Sequence, residues 1–232
     1  MSNTFFLNFN QKNRDKFIQD FAKSIDKQVF ILDVGAGSAP YRNLFMNHDY
    51  KTHDFQKLNP EQLLHKKGYS DIDIVSDIIS IPLDSNSVDV ILCTEVLEHV
   101  PDPISALKEM SRLLKSGGEI VITTPLGSHI HQEPFHYYGG YTPYFYKKFL
   151  EEFGFTKIEI KPNKGFFNFY FQESMRFFKL CLSNKSSLLL FICISPVYFL
   201  WIFLLLIFRN FLDKTLNDSR YTVGYHVLAT KI

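Results

Sequence analysis

The chain has 232 residues, enough for one well-packed domain with decoration and short for two. Its 25 Lys+Arg stand against 24 Asp+Glu, a balance that argues against a strongly basic nucleic-acid binder, so no nucleic-acid partner is expected. The three cysteines (Cys93, Cys181 and Cys193) form an odd set without CxxC spacing, which disfavours zinc and disulfide frameworks and favours a reducing compartment.

Residues 1–28 read as a polar lead-in without a secretory signal, containing an amphipathic helix on which Phe17, Ile18, Phe21 and Ile25 share a face. From Val29 short apolar runs alternate with helical stretches. Strands are predicted at Val29–Val34, Ile72–Val75, Val88–Cys93, Glu119–Thr123 and Thr156–Ile160, with helices clearest at Pro103–Leu114 and Pro143–Phe153. Strands alternating with helices imply a parallel sheet covered on both faces.

The first strand runs into Asp33-Val34-Gly35-Ala36-Gly37-Ser38-Ala39-Pro40. A glycine turn after a first parallel strand lets backbone approach a ligand where a Cβ would obstruct it. The third glycine of the dinucleotide fingerprint is replaced by Pro40, which counts against a nicotinamide oxidoreductase. Lys51-Thr52-His53-Asp54 reads as the end of a second strand, with Asp54 roughly 20 residues after the glycines, where a carboxylate can accept both hydroxyls of a ribose.

Ile74-Val75-Ser76-Asp77-Ile78 follows, then Ile81-Pro82-Leu83, and then Val88 through Glu95-Val96-Leu97-Glu98-His99-Val100. With these motifs in order, residues 29–165 and the final strand resemble class I S-adenosylmethionine (SAM)-dependent methyltransferases of the ubiquinone/menaquinone, or type 11, group. Val88 stands where that group often has Phe, and Leu114-Lys115-Ser116-Gly117-Gly118 matches its L-K-P-G-G turn without the proline. The resemblance implies an α/β fold: a Rossmann-like three-layer sandwich whose seven-stranded, mostly parallel sheet has an antiparallel last strand. It implies SAM as cofactor, with Asp33, Gly35 and Gly37 at the methionine end and Asp54 on the ribose. Asp77 and the Ile78 backbone would read adenine, and Thr94 would touch the carboxypropyl arm.

Methyl transfer needs positioning and a lone pair; a base is required only if the acceptor must lose a proton early. Candidate bases cluster in His129-Ile130-His131-Gln132-Glu133-Pro134-Phe135-His136, ahead of a helix start at Tyr141-Thr142-Pro143 with Thr142 as N-cap. These histidines can serve loop packing and substrate shape, a base, or a metal. Their spacing matches no recognised metal set, so no metal ligand is assigned. His136 is taken as the catalytic base, and His99 as a packing or loop-capping residue.

Residues 166–182 are aromatic-rich, and 188–208 (LLLFICISPVYFLWIFLLLIF) carry no charge, about the length that spans a bilayer as a helix. Pro196 would kink one helix or separate two half-length ones. The strand-like ending Thr222–Lys231 must rejoin the sheet, so both ends of the apolar segment return to one face, as a re-entrant hairpin or an in-plane helix pair. A soluble lid or dimer patch is the bland alternative.

The expected division is a methyltransferase domain at 1–165 and 220–232, with a membrane-associating insertion at 166–219. The expected enzyme sits on the cytoplasmic membrane face through residues 188–208. Its partner is a membrane lipid or lipid-linked substrate, and the greasy insertion resembles methyltransferases of surface-polysaccharide assembly. The expected reaction is O-methylation of a glycan or lipid-linked saccharide. A prenylated quinone ring is the alternative acceptor, and a non-catalytic membrane adaptor is the rival from another class.

Overall fold

A computed structural model describes residues 9–63, 68–183, 185–216, 218 and 220–232. Residues 1–8 of the polar lead-in therefore lie outside the described residues. The chain divides into two compact units, one of residues 13–161 and 224–232, the other of residues 1–12 and 162–223.

The first unit is built on seven strands: β1 (Phe30–Val34), β2 (Asp49–Asp54), β3 (Ile74–Val75), β4 (Val88–Thr94), β5 (Leu114–Pro125), β6 (Phe155–Pro162) and β7 (Gly224–Lys231). Their order across the sheet is β3-β2-β1-β4-β5-β7-β6. The five strands from β3 to β5 run parallel, and β7 pairs antiparallel with β5 from Glu119↔Thr230 to Pro125↔Gly224. This is the Rossmann-like sheet expected from the sequence, with the apolar insertion before its last strand.

Side chains two apart on a strand share a face, and the buried residues sort accordingly. Leu32, Val34, Ile91, Cys93, Ile120 and Ile122 point to one side, meeting Ala106, Leu107, Met110 and Leu113 of α2 (Pro103–Leu113) and Tyr146 and Leu150 of α3 (Pro143–Glu152). Ile31, Val90, Leu92 and Val121 point to the other, where Ile18 and Phe21 of α1 (Phe9–Lys23) and Phe45 cover them. Both faces are buried, which explains why β1 and β4 read as nearly unbroken apolar runs.

Several boundaries differ from the sequence reading, each for a local reason. α1 ends at Lys23, short of Ile25. β3 keeps only Ile74 and Val75, because Asp73 is turned sideways to accept from the Thr52 backbone N–H (2.8 Å) and hydroxyl (2.8 Å). β5 begins at Leu114, since the expected turn before Glu119 is a bulge inside the strand: the β4–β5 register slips between Val88 and Val90, and Gly117 takes φ +78°. Thr142 does precede α3, but no side-chain hydrogen bond caps that helix; Pro143 at its first position supplies the start. Asp102 caps α2 instead, accepting from the Ser105 N–H at 3.0 Å.

The second unit is an antiparallel pair of helices, α4 (Phe166–Ser183) and α5 (Lys185–Leu216). The apolar segment does not split at Pro196: α5 runs through that residue, and the aromatic stretch forms the other arm. Phe177, Phe178, Phe191, Tyr198 and Phe199 interlock between the arms, with Tyr198 donating to the Ser174 carbonyl at 2.5 Å. At the other end of the pair Asp213 accepts from the backbone N–H groups of Gly165 (3.0 Å) and Phe167 (2.7 Å), which pins a carboxylate at the start of α4.

Candidate active site

The sheet order reverses between β1 and β4, the place where open α/β sheets bind ligands beyond the carboxyl ends of their strands. The sequence-assigned residues follow those ends. Asp33 lies near the end of β1, Asp54 closes β2, Asp77 and Ile78 follow β3, and Thr94 closes β4. The glycine turn after β1 is held by the His53 carbonyl, which accepts from the N–H groups of Gly35 (2.8 Å) and Ala36 (3.0 Å).

Gly35 has φ +71°, and a Cβ there would lie 2.4 Å from a Val96 methyl; Gly37 has φ +54°. Both positions demand the conformation glycine adopts freely. Asp54 is buried and clamps the turn, accepting from the Gly37 N–H at 3.0 Å through Oδ2 and from the Gln56 N–H at 2.9 Å through Oδ1. Asp77 is exposed and shapes its own turn, accepting from the Ile79 N–H at 3.2 Å, while Ile78 is buried behind it. Thr94 is half-buried and paired in register with Thr123 of β5.

Asp33 is buried and receives a hydrogen bond from the Tyr50 hydroxyl. Burial pushes this carboxyl up to about 7, against the lowering effect of Tyr50, and Asp54 adds to the rise. Because the folded value lies above the ordinary one, ionising Asp33 costs stability, and that cost grows as pH climbs from the ordinary carboxylate range through 7. Asp33→Asn keeps an oxygen for Tyr50 and removes the charge. Its melting temperature should exceed that of the parent by a margin that widens from pH 5 to pH 8. A margin independent of pH would show that Asp33 does not titrate in the fold.

Arg14, on α1, has no motif around it and escapes sequence reasoning. It is half-buried at the carboxyl end of β4, paired with Glu95 at 3.3 Å and donating to the Tyr41 hydroxyl at 3.1 Å. Burial alone would lower its affinity for a proton, but Glu95 and Tyr41 more than offset this and raise it. Glu95 takes φ +55° directly after β4 and accepts from the Thr123 hydroxyl at 3.0 Å.

The loop after β5 folds back over this edge. Tyr137 and Tyr138 donate their backbone N–H groups to the Glu98 carbonyl, and the Tyr141 hydroxyl donates to the Leu97 carbonyl at 2.7 Å. On its other flank Gln62 donates to the Glu133 carbonyl (2.9 Å) and Gln132 to the Gln62 carbonyl (2.7 Å), while Phe55 and Phe135 meet edge to face. The loop thus covers the end of β2 beside Asp54.

His136 sits in this loop, half-buried, with Nε2 2.9 Å from the Ser128 hydroxyl. Burial lowers its proton affinity, and His131 lowers it further. Its ring lies 4.7 Å from that of His131 and 5.6 Å from that of His99, so three histidines separated in sequence meet in one place. His99 ties the loop down through Phe135, and its neighbour Glu98 is fully buried; burial, then Glu95, push the Glu98 carboxyl well above its ordinary range. The motif around Glu98 and His99 is visible in the sequence, but their convergence with His131 is not.

Comparison with known proteins agrees with this geometry. Residues 32–122 match the methyltransferase domain family. A ubiquinone biosynthesis O-methyltransferase of Coxiella burnetii is 29% identical over 116 residues, covering 44% of this chain and 48% of that protein. The chain spans less than half the length of the curated relatives it matches. A SAM-dependent methyltransferase from Archaeoglobus fulgidus superposes with TM-score 0.54 at 17% identity, over 98% of this chain and 100% of that one. Phosphoethanolamine N-methyltransferase 2 of Haemonchus contortus, solved with SAM, superposes with TM-score 0.52 at 16% identity, over 94% of this chain and 52% of that one. The fold is the Rossmann-like methyltransferase fold, and residues 32–122 match the methyltransferase domain family. S-adenosylmethionine is the cofactor that goes with this fold.

Proposed function

We propose that the protein is a SAM-dependent O-methyltransferase acting at the cytoplasmic face of a membrane on a glycan or lipid-linked saccharide. The observation that carries the activity is the cradle at the β1–β4 reversal: a glycine turn at positive φ clamped by Asp54, with acids ending β1 and β2 and following β3. Asp33, Gly35 and Gly37 would hold the methionine end, Asp54 the ribose, Asp77 and Ile78 the adenine, and Thr94 the carboxypropyl arm. Arg14 adds a half-buried cation at the same edge, fitted to a carboxylate.

SAM supplies a methyl group on a sulfonium for in-line displacement, so the chain must bring an acceptor into line and keep water out. The loop over β2 does the second. His136 takes the proton of a hydroxyl acceptor, whose own oxygen lone pair attacks the methyl carbon. With the Ser128 hydroxyl turned to the Gly139 carbonyl (3.3 Å), His136 Nε2–H donates to Ser128 Oγ, and Nδ1 is left to take the proton.

Support for the membrane half is the outer face of α5, where Val197, Leu200, Phe203, Ile207 and Phe211 are all more than half exposed. Apolar surface on this scale marks an interaction site, and Trp201 and Tyr170 beside it suit a membrane–water boundary. A lipid-linked acceptor follows from that position. A prenylated quinone ring is the second reading, favoured by the likeness to a ubiquinone biosynthesis O-methyltransferase.

Calorimetry on detergent-purified protein should register SAM binding and none of NAD. Asp54→Ala should weaken it by about 1–3 kcal/mol, the scale of hydrogen bonds to a charged group. Tight NAD binding without SAM binding would sink the activity. Labelled SAM incubated with membrane lipid extract, followed by mass spectrometry, should place the label on a saccharide lipid; label on a quinone would transfer the assignment to the second reading.

A further inference from the structure

Arg209 is the first charged residue after the charge-free run 188–208, yet it does not turn outward. It is 8% exposed, on the inner stripe of α5, with Leu205 (1% exposed) one turn before it. Its surroundings all belong to the second unit, residues 1–12 and 162–223. The guanidinium sits over the Phe171 ring of α4 at 4.1 Å and lies 5.7 Å from the centre of the Phe9 ring. Nε and Nη1 are buried and have no hydrogen-bond partner among the described residues.

An aromatic face attracts a cation but offers its N–H groups no lone pair. A carboxylate stands on the next turn of α5, but its oxygens are in use. Asp213 accepts from the backbone N–H groups of Gly165 (3.0 Å) and Phe167 (2.7 Å) and from the Asn168 side-chain amide (2.5 Å). Burial lowers the proton affinity of Arg209, and Asp213 restores only part of it. Unmade hydrogen bonds on a buried charge are costly. An apolar side chain of the same length would fill this place at less cost, so the guanidinium calls for a partner outside the chain.

The chemistry of the place selects that partner. A planar fork of N–H donors matches the oxygens of a phosphate. The walls are two phenyl rings, which suit a ligand that brings an apolar chain with it, and α5 carries an exposed apolar face for such a chain to follow. We propose that Arg209 binds the phosphate of a lipid. The 8% of the residue that stays exposed is the edge by which the anion arrives. On the proposed function this is the phosphate through which a saccharide is joined to its lipid; that assignment rests on the methyl-transfer reading, whereas the binding does not.

Farnesyl monophosphate, dihexanoyl phosphatidylglycerol and inorganic phosphate are the probes, titrated by calorimetry into full-length protein in an uncharged detergent, with melting temperature as a second readout. Farnesyl monophosphate should bind at one equivalent, at least tenfold more tightly than inorganic phosphate, and raise the melting temperature. Arg209→Lys should weaken it at least tenfold, since a point charge replaces the fork. Arg209→Met should abolish it and, without ligand, melt no lower than the parent, because it removes a buried charge and keeps the bulk. Lys214→Met removes an exposed cation further along the same helix and should change nothing. Tighter binding of phosphatidylglycerol would uphold the phosphate site and assign it to a membrane headgroup rather than to the acceptor. Inorganic phosphate bound as tightly as either lipid, or farnesyl monophosphate binding that survives Arg209→Met, would overturn the proposal. So would an Arg209→Met variant that melts well below the parent, which would make the guanidinium a strut between two rings. Phosphate binding by a chain that ignores SAM would uphold the site and sink the methyl-transfer reading instead.

Discussion

Replacing Val197, Leu200 and Phe203 together with aspartate is expected to move the protein from the membrane fraction to the soluble one. These side chains are 74%, 60% and 57% exposed on α5, so none of them holds the helix pair together. Each buried charge costs roughly 2.5–3.5 kcal/mol on membrane-insertion scales, and three such changes exceed any plausible binding energy of one helix face. The choice of residues matters: Leu205 lies on the same helix but is 1% exposed, and a charge there would be buried inside the protein instead. SAM affinity should survive, because residues 33–94 that form the cradle belong to the other compact unit. β6 precedes the helix pair and β7 follows it within one sheet. A reporter fused after Ile232 should therefore be accessible from the same side as the sheet. If the triple variant stays on membranes, α5 is not the anchor and its exposed face belongs to a protein contact.

The sheet and the cofactor cradle were legible because both depend on local sequence. Alternation of apolar runs with helical stretches dictates a parallel sheet, and Gly35, Gly37 and Asp54 announce themselves by spacing along one strand-turn-strand unit. The acids at Asp33 and Asp77 were legible as positions, but not their partners: Tyr50 for the first, its own turn for the second.

What escaped the sequence was pairing at a distance. The apolar run from 188 to 208 shows how much surface must be covered, not what covers it. Pro196 left a kinked helix or a break as alternatives, and α5 passes through it because Phe191, Tyr198 and Phe199 on either side are locked against Phe177 and Phe178 of α4. Removing one backbone donor costs less than abandoning that packing. The aromatic arm carries Glu173 and Arg176, paired at 2.9 Å, charges that the run from 188 to 208 lacks. Arg14 and the meeting of His99 with His131 are likewise products of the fold: periodicity gives α1 its apolar face but not the contacts of Arg14 with Glu95 and Tyr41, nor the return of the loop after β5 to Glu98.

His136→Ala is expected to lower turnover by about 10²–10⁴-fold, the usual range for a positioned general base, while leaving SAM affinity unchanged. The loop carrying His136 is stapled to the segment after β4 through Glu98, Leu97 and Phe135, so the backbone should hold its course when the ring is removed. The ring itself is oriented by Ser128, whose hydroxyl also reaches the Gly139 carbonyl. Ser128→Ala should therefore reproduce part of the loss by freeing the ring to turn, without touching the cofactor cradle. Two measurements separate a base from a shape-giving side chain. A base variant loses kcat with little change in the acceptor KM, because proton removal belongs to the transition state; a packing variant raises KM as the acceptor loses its seat. An acceptor that ionises more readily should also recover much of the lost rate in His136→Ala. Turnover equal to that of the parent would assign His136 to loop packing and leave deprotonation of the acceptor to another group.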